Sequence, residues 1–320
     1  MEDLNDQIQQ RLKKLDLLRG MGVNPFGDRF EAADRAGDLI AAHGSSTREA
    51  LEQHPVPATL AGRITIMRRF GKAAFASVQD GVDAIQVYLK KDVLGDQGFA
   101  LAELLDIGDW IGVSGPLFRT KTNELTVEVK QLTLLCKALR PLPEKWHGLT
   151  DVETRYRQRA VDLVANPDVK RIFVTRSKIV QAIRNFLVGK GFLEVETPMM
   201  HPIPGGATAR PFVTHHNALS TDLYLRVAPE LYLKRLIVGG MNRVFEINRN
   251  FRNEGISTIH NPEFTMLEFY MAYADYTDLL DLTEELIGEL VETVHGKGTQ
   301  AVPFRPHANK DETVTISFAR

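Results

Sequence analysis

Hydrophobic and polar positions follow two different periods along the 320-residue chain. At the start, Leu4, Ile8, Leu12, Leu15 and Leu18 recur at helical spacing and predict an amphipathic helix over residues 1–20. Its other faces carry Arg11, Lys13, Lys14 and Arg19, either as solvated charges or as contacts for RNA phosphates. Residues 20–59 are rich in Gly, Asp, Ala and Pro, which predicts one or two short helices and a linker ending at His54-Pro55-Val56-Pro57. From residue 58 the period shortens to two. ATLAGRITIMRRF, AAFASVQDG, DAIQVYLKKD, DWIGVSGPLFRT and ELTVEVKQLTLL read as five short strands, with a helix at FALAELLDI between the third and fourth. After a Pro-bearing connector, residues 139–150, the period lengthens again. Asn166 as N-cap and Pro167 at the first helical position open a helix through Ile172, Ile179, Val180, Ile183, Phe186 and Leu187. It stops at Lys190-Gly191, a glycine C-cap. An extended FLEVETP follows, then strands at DLYLRVAP, RVFEINRNF and EFTMLEFYMAYA, and a final helix at TDLLDLTEELIGELVETVHG.

Five strands with a helix after the third is the order of an OB barrel, although a sandwich or an SH3-like barrel also fits the strands. The later segments mix strands and helices without a regular βαβ repeat, so the class is α+β with a mainly antiparallel sheet and flanking helices. The chain then divides into an N-terminal helical extension (1–57), a five-stranded OB-type domain (58–140), a linker (141–155) and an α+β domain (156–320). Composition narrows this further: 43% hydrophobic and 25% charged residues describe an ordinary globular chain. No apolar run approaches 18 residues, so no membrane span or membrane partner is expected. The polar start is unlike a secretory leader, and the single cysteine, Cys136, excludes an internal disulfide and a cysteine-only zinc site. The expected compartment is the cytoplasm. A net charge of −2 excludes a uniformly basic nucleic-acid binder and leaves room only for a local basic surface.

The chemistry concentrates in residues 243–270, RVFEINRNFRNEGISTIHNPEFTMLEFY, read as strand, polar loop, strand. Alternation places Arg252 and Glu254 on one face, and Phe264, Met266, Glu268 and Tyr270 together on the return strand, with Thr265, Leu267 and Phe269 opposite. His260 and Asn261 stand in the loop. An arginine, two carboxylates, an imidazole, a phenol and an aromatic plate on one surface suit a ligand with phosphates, a flat base and an amine. The other reading is a polar edge hairpin with surface ion pairs worth little.

These residues also resemble a known family. Phe251-Arg252-x-Glu254, followed by His260-x-x-x-Phe264 and Glu268, is similar to motif 2 of the class II aminoacyl-tRNA synthetases, and Lys190-Gly191-Phe192-Leu193-Glu194-Val195-Glu196-Thr197-Pro198 to their motif 1. Gly205-Gly206-Ala207-Thr208-Ala209-Arg210-Pro211-Phe212, Arg226-Val227-Ala228-Pro229-Glu230-Leu231-Tyr232-Leu233-Lys234-Arg235 and Asn253-Glu254-Gly255-Ile256-Ser257 resemble the bacterial-type lysyl-tRNA synthetases. The linker PLPEKWHGLTDVETRYRQRAVDL resembles theirs as well, so the likeness covers essentially the whole chain.

The resemblance implies a lysine–tRNA ligase that makes lysyl-adenylate from L-lysine and ATP and esterifies the 3′ end of tRNA(Lys). It implies that Arg252 binds the ATP α-phosphate and the lysine carboxylate and is the catalytic residue. A bidentate cation there offsets the repulsion of two anions brought together, and no general base is needed because the carboxylate is already nucleophilic. It further implies Glu254, His260, Asn261 and Phe264 as ATP-binding residues, with Phe264 stacked on adenine. Gly206, Glu230, Glu268 and Tyr270 would hold lysine: the first three at its α-ammonium, Tyr270 toward its ε-ammonium. In the OB-type domain the resemblance implies anticodon reading, with Phe75 stacking, Gln86 at a base edge, and Arg63, Arg68, Arg69 and Lys72 at phosphates. Taken alone, Phe75 is a barrel-core residue, Tyr270 a half-buried core tyrosine, and Glu230 a carboxylate matched to a helix N-terminus. The motif 1 helix implies a homodimer.

Two departures matter. The family continues into a third motif, a glycine-rich strand and helix carrying an arginine for the ATP γ-phosphate and the ligands for Mg²⁺; no such segment precedes Arg320. The expectation is therefore a partial catalytic domain with no metal ligands of its own and a missing clamp on pyrophosphate. The alternative activity is that of a catalytically incomplete tRNA-binding or dimerising fragment. The second departure is Ile259, where the family usually carries arginine before the histidine, so a charge for phosphate binding is lost.

Overall fold

The structure is a computed structural model that describes residues 2–27, 29–81, 83–142, 149–257, 259–299, 301–304 and 313–318. Two units are distinguished, residues 1–172 and 173–320. Residues 143–148 of the expected linker lie outside the described residues, as does the side chain of Leu4.

In the first unit, helices α1 (Glu2–Gly20), α2 (Ala36–His43) and α3 (Arg48–Gln53) precede strands β1 (Pro57–Phe70), β2 (Ala73–Gln79) and β3 (Ala84–Lys90). Helix α4 (Lys91–Leu104) leads to β4 (Trp110–Arg119), β5 (Leu125–Glu128) and β6 (Gln131–Cys136), and then to the short helices α5 (Val152–Arg157) and α6 (Arg159–Ala165). Pairing runs β1-β2-β3-β5-β4 and returns to β1, the strand order of an OB fold. The alternation selects the core: Ala74, Ala76 and Val78 of β2 and Ile85, Val87 and Leu89 of β3 are buried. Phe75 and Tyr88 fall on the opposite side of the pleat, so Phe75 is not a core residue.

Three details differ from the sequence pattern. The fifth predicted strand divides at Val129–Lys130, because those N–H groups turn to the Tyr88 and Ser114 carbonyls. At the same place β4 passes so close to β5 that a Cβ on Gly115 would overlap the Glu128 carbonyl oxygen. The predicted helix 99–107 starts earlier, at Lys91, and breaks at Gly95, whose φ of 70° and ψ of 179° suit glycine alone.

Two of the four cations on α1 are neither solvated nor free for phosphates. Arg11 donates from Nη1 to the Ala138 carbonyl (2.7 Å) and from Nη2 to the Ile107 carbonyl (3.0 Å). Lys14 pairs with Asp106 at 2.5 Å. The other Asp106 oxygen accepts from Lys137 (2.6 Å), whose fully buried ammonium also reaches Asp109 (2.7 Å) and the Leu104 carbonyl (3.1 Å). Burial would raise the Asp106 pKa, yet the hydrogen bonds from Lys137 and Lys14 outweigh it and hold the carboxyl below its ordinary value. Lys13 and Arg19 remain exposed.

In the second unit the long helix α7 (Pro167–Gly189) continues from the first. Ahead of it, the Asn166 carbonyl accepts from the Val169 N–H, while its side-chain amide donates to Asp162 at 2.7 Å. Its C-terminus is a Schellman motif: Phe192 N–H bonds the Leu187 carbonyl and Gly191 N–H bonds the Val188 carbonyl, with Gly191 at φ 80°. Strands β7 (Leu193–Glu194), β8 (Met200–His201), β9 (Val213–His216) and β10 (Thr221–Leu225) follow, then α8 (Glu230–Val238). Strands β11 (Arg243–Phe251) and β12 (Glu263–Met271) form a hairpin, and α9 (Tyr276–His295) and the pair β13 (Ala301–Phe304) and β14 (Val314–Ser317) complete the unit. The sheets are β12-β11-β7, with β7 parallel to β11, and β8-β10-β9. Helix α9 starts in a capping box between Asp275 and Asp278. Phe186, Leu187, Phe192, Phe245 and Leu286 form the core, with Ile247, Leu267, Phe269 and Met271 packed on it.

Replacing Lys137 by Met strips the cation from two carboxylates, one of them fully buried, and is expected to destabilise the protein by about 3–5 kcal/mol in chemical denaturation. Lys13→Ala, at an exposed site, is expected to change stability by no more than about 0.5 kcal/mol. Equal effects of the two substitutions would contradict this assignment.

Candidate functional site

The β11–β12 register pairs Val244 with Tyr270, Glu246 with Glu268, Asn248 with Met266 and Asn250 with Phe264. The pleat sends Phe245, Ile247, Leu267, Phe269 and Met271 into the core. It leaves Glu246, Asn248, Asn250, Phe264, Met266, Glu268 and Tyr270 on the other face, as the alternation of the return strand predicts. Phe264 and Glu268 stand four positions apart, roughly 13 Å at ~3.3 Å per residue, enough for a nucleotide joined to an amino acid to lie along the strand.

At one end of this face the Arg252 guanidinium lies 5.2 Å from the centre of the Phe264 ring. Its Nε is buried and lacks a hydrogen-bond partner among the described residues. An anionic oxygen would satisfy that donor. At the other end, Tyr270 donates its hydroxyl to Glu268 at 3.1 Å. Gly206, at φ 92°, lies over the start of α8, where a Cβ would come within 3.2 Å of the Glu230 Cβ and 3.3 Å of the Ala228 Cβ. Its backbone can therefore approach Glu230 as no larger residue could. The structure thus brings Gly206 to Glu230 and Tyr270 to Glu268, and the Glu230 carboxylate adds to the upward pKa shifts of both Glu268 and Tyr270.

Burial raises the Glu268 pKa; the Tyr270 hydroxyl opposes this, while the Glu230 and Glu246 carboxylates add to it. Burial and the Glu268 carboxylate together push the Tyr270 phenol far up, so it remains a hydrogen-bond donor.

The loop residues are less gathered. Glu254, His260 and Asn261 are exposed. His260 Nδ1 bonds the Ser257 hydroxyl at 2.8 Å, closing the loop on itself rather than on Arg252 or Phe264. Ile259 is exposed beside it.

Alternation carried back along β11 would have found a floor to this face. Arg226 and Glu246 form a buried ion pair at 2.7 Å. Thr197 donates its hydroxyl to Glu246 (2.6 Å) and Asn248 its amide (3.1 Å).

In the first unit, Phe75 stacks on Tyr88 with ring centres 4.5 Å apart, Phe70 meets Phe75 edge-on at 6.4 Å, and Tyr88 is 6.0 Å from Phe118. This ladder crosses the outside of β1–β4. Beside it is a groove of about 290 Å³ lined by Ile66, Arg68, Phe70, Phe75, Gln86 and Thr120. Gln86 accepts from the Thr126 hydroxyl at 2.9 Å. Such a half-exposed aromatic row beside an arginine suits unpaired bases. Arg63 does not reach this groove: it donates to the Gly108 carbonyl (2.9 Å) and lies 4.9 Å over Trp110. Arg69 is likewise drawn to the Leu105 carbonyl at 2.7 Å.

Among the described residues, no group of three or more His, Cys, Asp or Glu side chains is placed to hold a metal ion. Nor is any helix of the described residues long and apolar enough to cross a membrane.

Residues 151–320 match the family model described as tRNA synthetases class II (D, K and N), and residues 58–135 match the OB-fold nucleic acid binding domain. A protein of Pelotomaculum thermopropionicum named lysine–tRNA ligase is 57% identical over 304 residues, covering 95% of this chain and 58% of that protein. Proteins of the same name from Carboxydothermus hydrogenoformans and Bacillus subtilis are 58% and 54% identical, over 92% and 93% of this chain and 59% and 60% of theirs. The chain thus spans 58–60% of the length of these curated relatives.

Because the Glu268 pKa is raised by folding, its contribution to stability is complete below the ordinary carboxylate range and is lost as pH rises through the raised value. Glu268→Gln is therefore expected to gain stability relative to the wild type as pH rises from ~4 toward neutrality, measured by urea unfolding over that range. Parallel stability curves for the two proteins would contradict it.

Proposed function

The chain belongs to the class II tRNA synthetases of the D, K and N group, and on that premise we propose that it serves as a lysine–tRNA ligase, activating L-lysine with ATP and charging tRNA(Lys). The observation that carries this reading is the shared polar face of β11–β12, with the Arg252–Phe264 pair at one end and Gly206, Glu230, Glu268 and Tyr270 at the other. A lysine α-ammonium would sit between the Glu230 and Glu268 carboxylates and the Gly206 carbonyl, with the Tyr270 hydroxyl directed toward the side-chain ammonium. Arg252 would span the lysine carboxylate and the ATP α-phosphate. A carboxylate oxygen then attacks that phosphorus, the bond to the bridging oxygen breaks, and pyrophosphate leaves with the electron pair. Positioning and charge neutralisation supply the acceleration. The adenine would stack on Phe264, with Glu254, His260 and Asn261 closing over the nucleotide from the loop.

The aromatic ladder and groove of the first unit would read the anticodon, Phe75 by stacking and Gln86 at a base edge, with Arg68 at a phosphate. Arg63 would act through Trp110 rather than on RNA directly. Helix α7 would contribute to a homodimer interface, since Phe173, Val174 and Val188 are exposed on it. The working compartment would be the cytoplasm.

Two experiments test this reading. Lysine-dependent exchange of pyrophosphate into ATP that is present in the protein and vanishes in Arg252→Ala would support this reading. A folded protein with no exchange would reduce the reading to binding without catalysis. Phe75→Ala is expected to weaken binding of the tRNA(Lys) anticodon stem-loop by about 1–3 kcal/mol, whereas Arg63→Ala should act chiefly on stability. An undiminished affinity in Phe75→Ala would remove the groove from the account.

A further inference from the structure

Glu246 and Glu268 are direct cross-strand partners on the same face, and Glu230 approaches from α8. Like charges placed opposite one another on a sheet repel, and here the face is half-dry. Lys234 meets Glu230 from the exposed side, at 2.6 Å. The cation beneath the face is Arg226, whose side chain is fully buried. Its Nη1 donates to Glu246 (2.7 Å) and the Thr197 hydroxyl (3.1 Å), and its Nε to the Arg249 carbonyl (2.9 Å). These bonds fix the plane of the guanidinium. Nη2 is buried with no hydrogen-bond partner among the described residues.

We propose that Arg226 is a positioning residue for the ammonium pocket: through its ion pair with Glu246, the cross-strand partner of Glu268, it offsets one of three carboxylates and leaves Glu268 and Glu230 to a single ligand cation. This rests on the reading of Glu230 and Glu268 as the seat of a ligand ammonium. Without Arg226, three carboxylates share one face and the ligand must displace a proton from one of them. With it, one carboxylate is offset and two remain for a single cation, which selects a ligand with an α-ammonium over an analogue that lacks it. The groups acting on Glu268 are Tyr270 on its own strand, Glu246 across the hairpin, Glu230 on α8 and Arg226 below. Arg226 lowers its pKa and Glu246 raises it.

The test is the titration of the Glu268 carboxyl carbon by NMR in wild type, Arg226→Gln, Arg226→Lys and Glu246→Gln, with amide spectra reporting the fold. The midpoint is expected to rise in Arg226→Gln, to rise less in Arg226→Lys and to fall in Glu246→Gln. If Arg226→Gln does not fold, the fall in Glu246→Gln decides. Midpoints that do not move, or that move in the same direction in Arg226→Gln and Glu246→Gln, would overturn the assignment. Calorimetry with L-lysine and with 6-aminohexanoate, which lacks the α-amine, separates the two readings. A loss of tenfold or more for L-lysine in Arg226→Gln, with 6-aminohexanoate little changed, supports both. Opposed titration shifts in a protein that binds no lysine would uphold the role of Arg226 and reject the ligand, whereas lysine binding with an indifferent Glu268 would do the reverse.

Discussion

The antiparallel register of β11 and β12 is the constraint on which the second unit depends. Its pleat assigns Phe245, Ile247, Leu267, Phe269 and Met271 to the core and Glu246, Asn250, Phe264, Glu268 and Tyr270 to the opposite face. A slip of one residue would exchange the two sets. Burying each large apolar side chain contributes roughly 1.5–3 kcal/mol, so the core side specifies the register strongly. The polar side inherits that precision. Arg252 comes to lie over Phe264, and Glu268 opposite Glu246, because their neighbours on the strands are held by packing against α7 and α9.

Placing carboxylates on a half-buried surface has an electrostatic cost, and the molecule meets it twice in the same way. In the second unit Arg226 lies beneath Glu246 with Thr197 and Asn248 completing the hydrogen bonds. In the first, Lys137 lies between Asp106 and Asp109 and joins the end of β6 to the turn before β4. Each buried cation is tied to more than one acceptor, which is the condition under which a desolvated pair holds its geometry. The difference is in what remains. Lys14 covers the outer oxygen of Asp106, closing that network, whereas Glu230 is met by Lys234 and Glu268 by the Tyr270 hydroxyl.

Much of this architecture was legible in the sequence, because its period was unambiguous. The two-residue alternation of β2 and β3, the Lys190-Gly191 stop of α7 and the single face shared by Phe264, Glu268 and Tyr270 all follow from local rules. The motif resemblance added the family, and the matches to residues 151–320 and 58–135 agree with it. What escaped were features decided by distant residues. Arg11 and Lys14 read as surface charges because nothing in α1 announces the carbonyls of Ile107 and Ala138. Arg63 read as a phosphate contact because its cation–π partner, Trp110, is supplied by β4. Phe75 read as core because alternation alone does not say which side of a strand faces inward; the buried Ala74, Ala76 and Val78 decide it. Arg226 was visible only as part of a motif, since its partner Glu246 lies 20 residues along the chain.

The central claim is that one face of the β11–β12 hairpin is the platform for an aminoacyl-nucleotide. Its most direct test is a map of amide and methyl NMR shifts on adding a non-hydrolysable lysyl-adenylate analogue. The account predicts shifts at Asn250, Arg252, Phe264, Met266, Glu268 and Tyr270, with Glu230 and Gly206 joining them, and small ones at Phe245, Ile247 and Leu267. Shifts confined to the loop around His260, or falling equally on both faces of the hairpin, would contradict it.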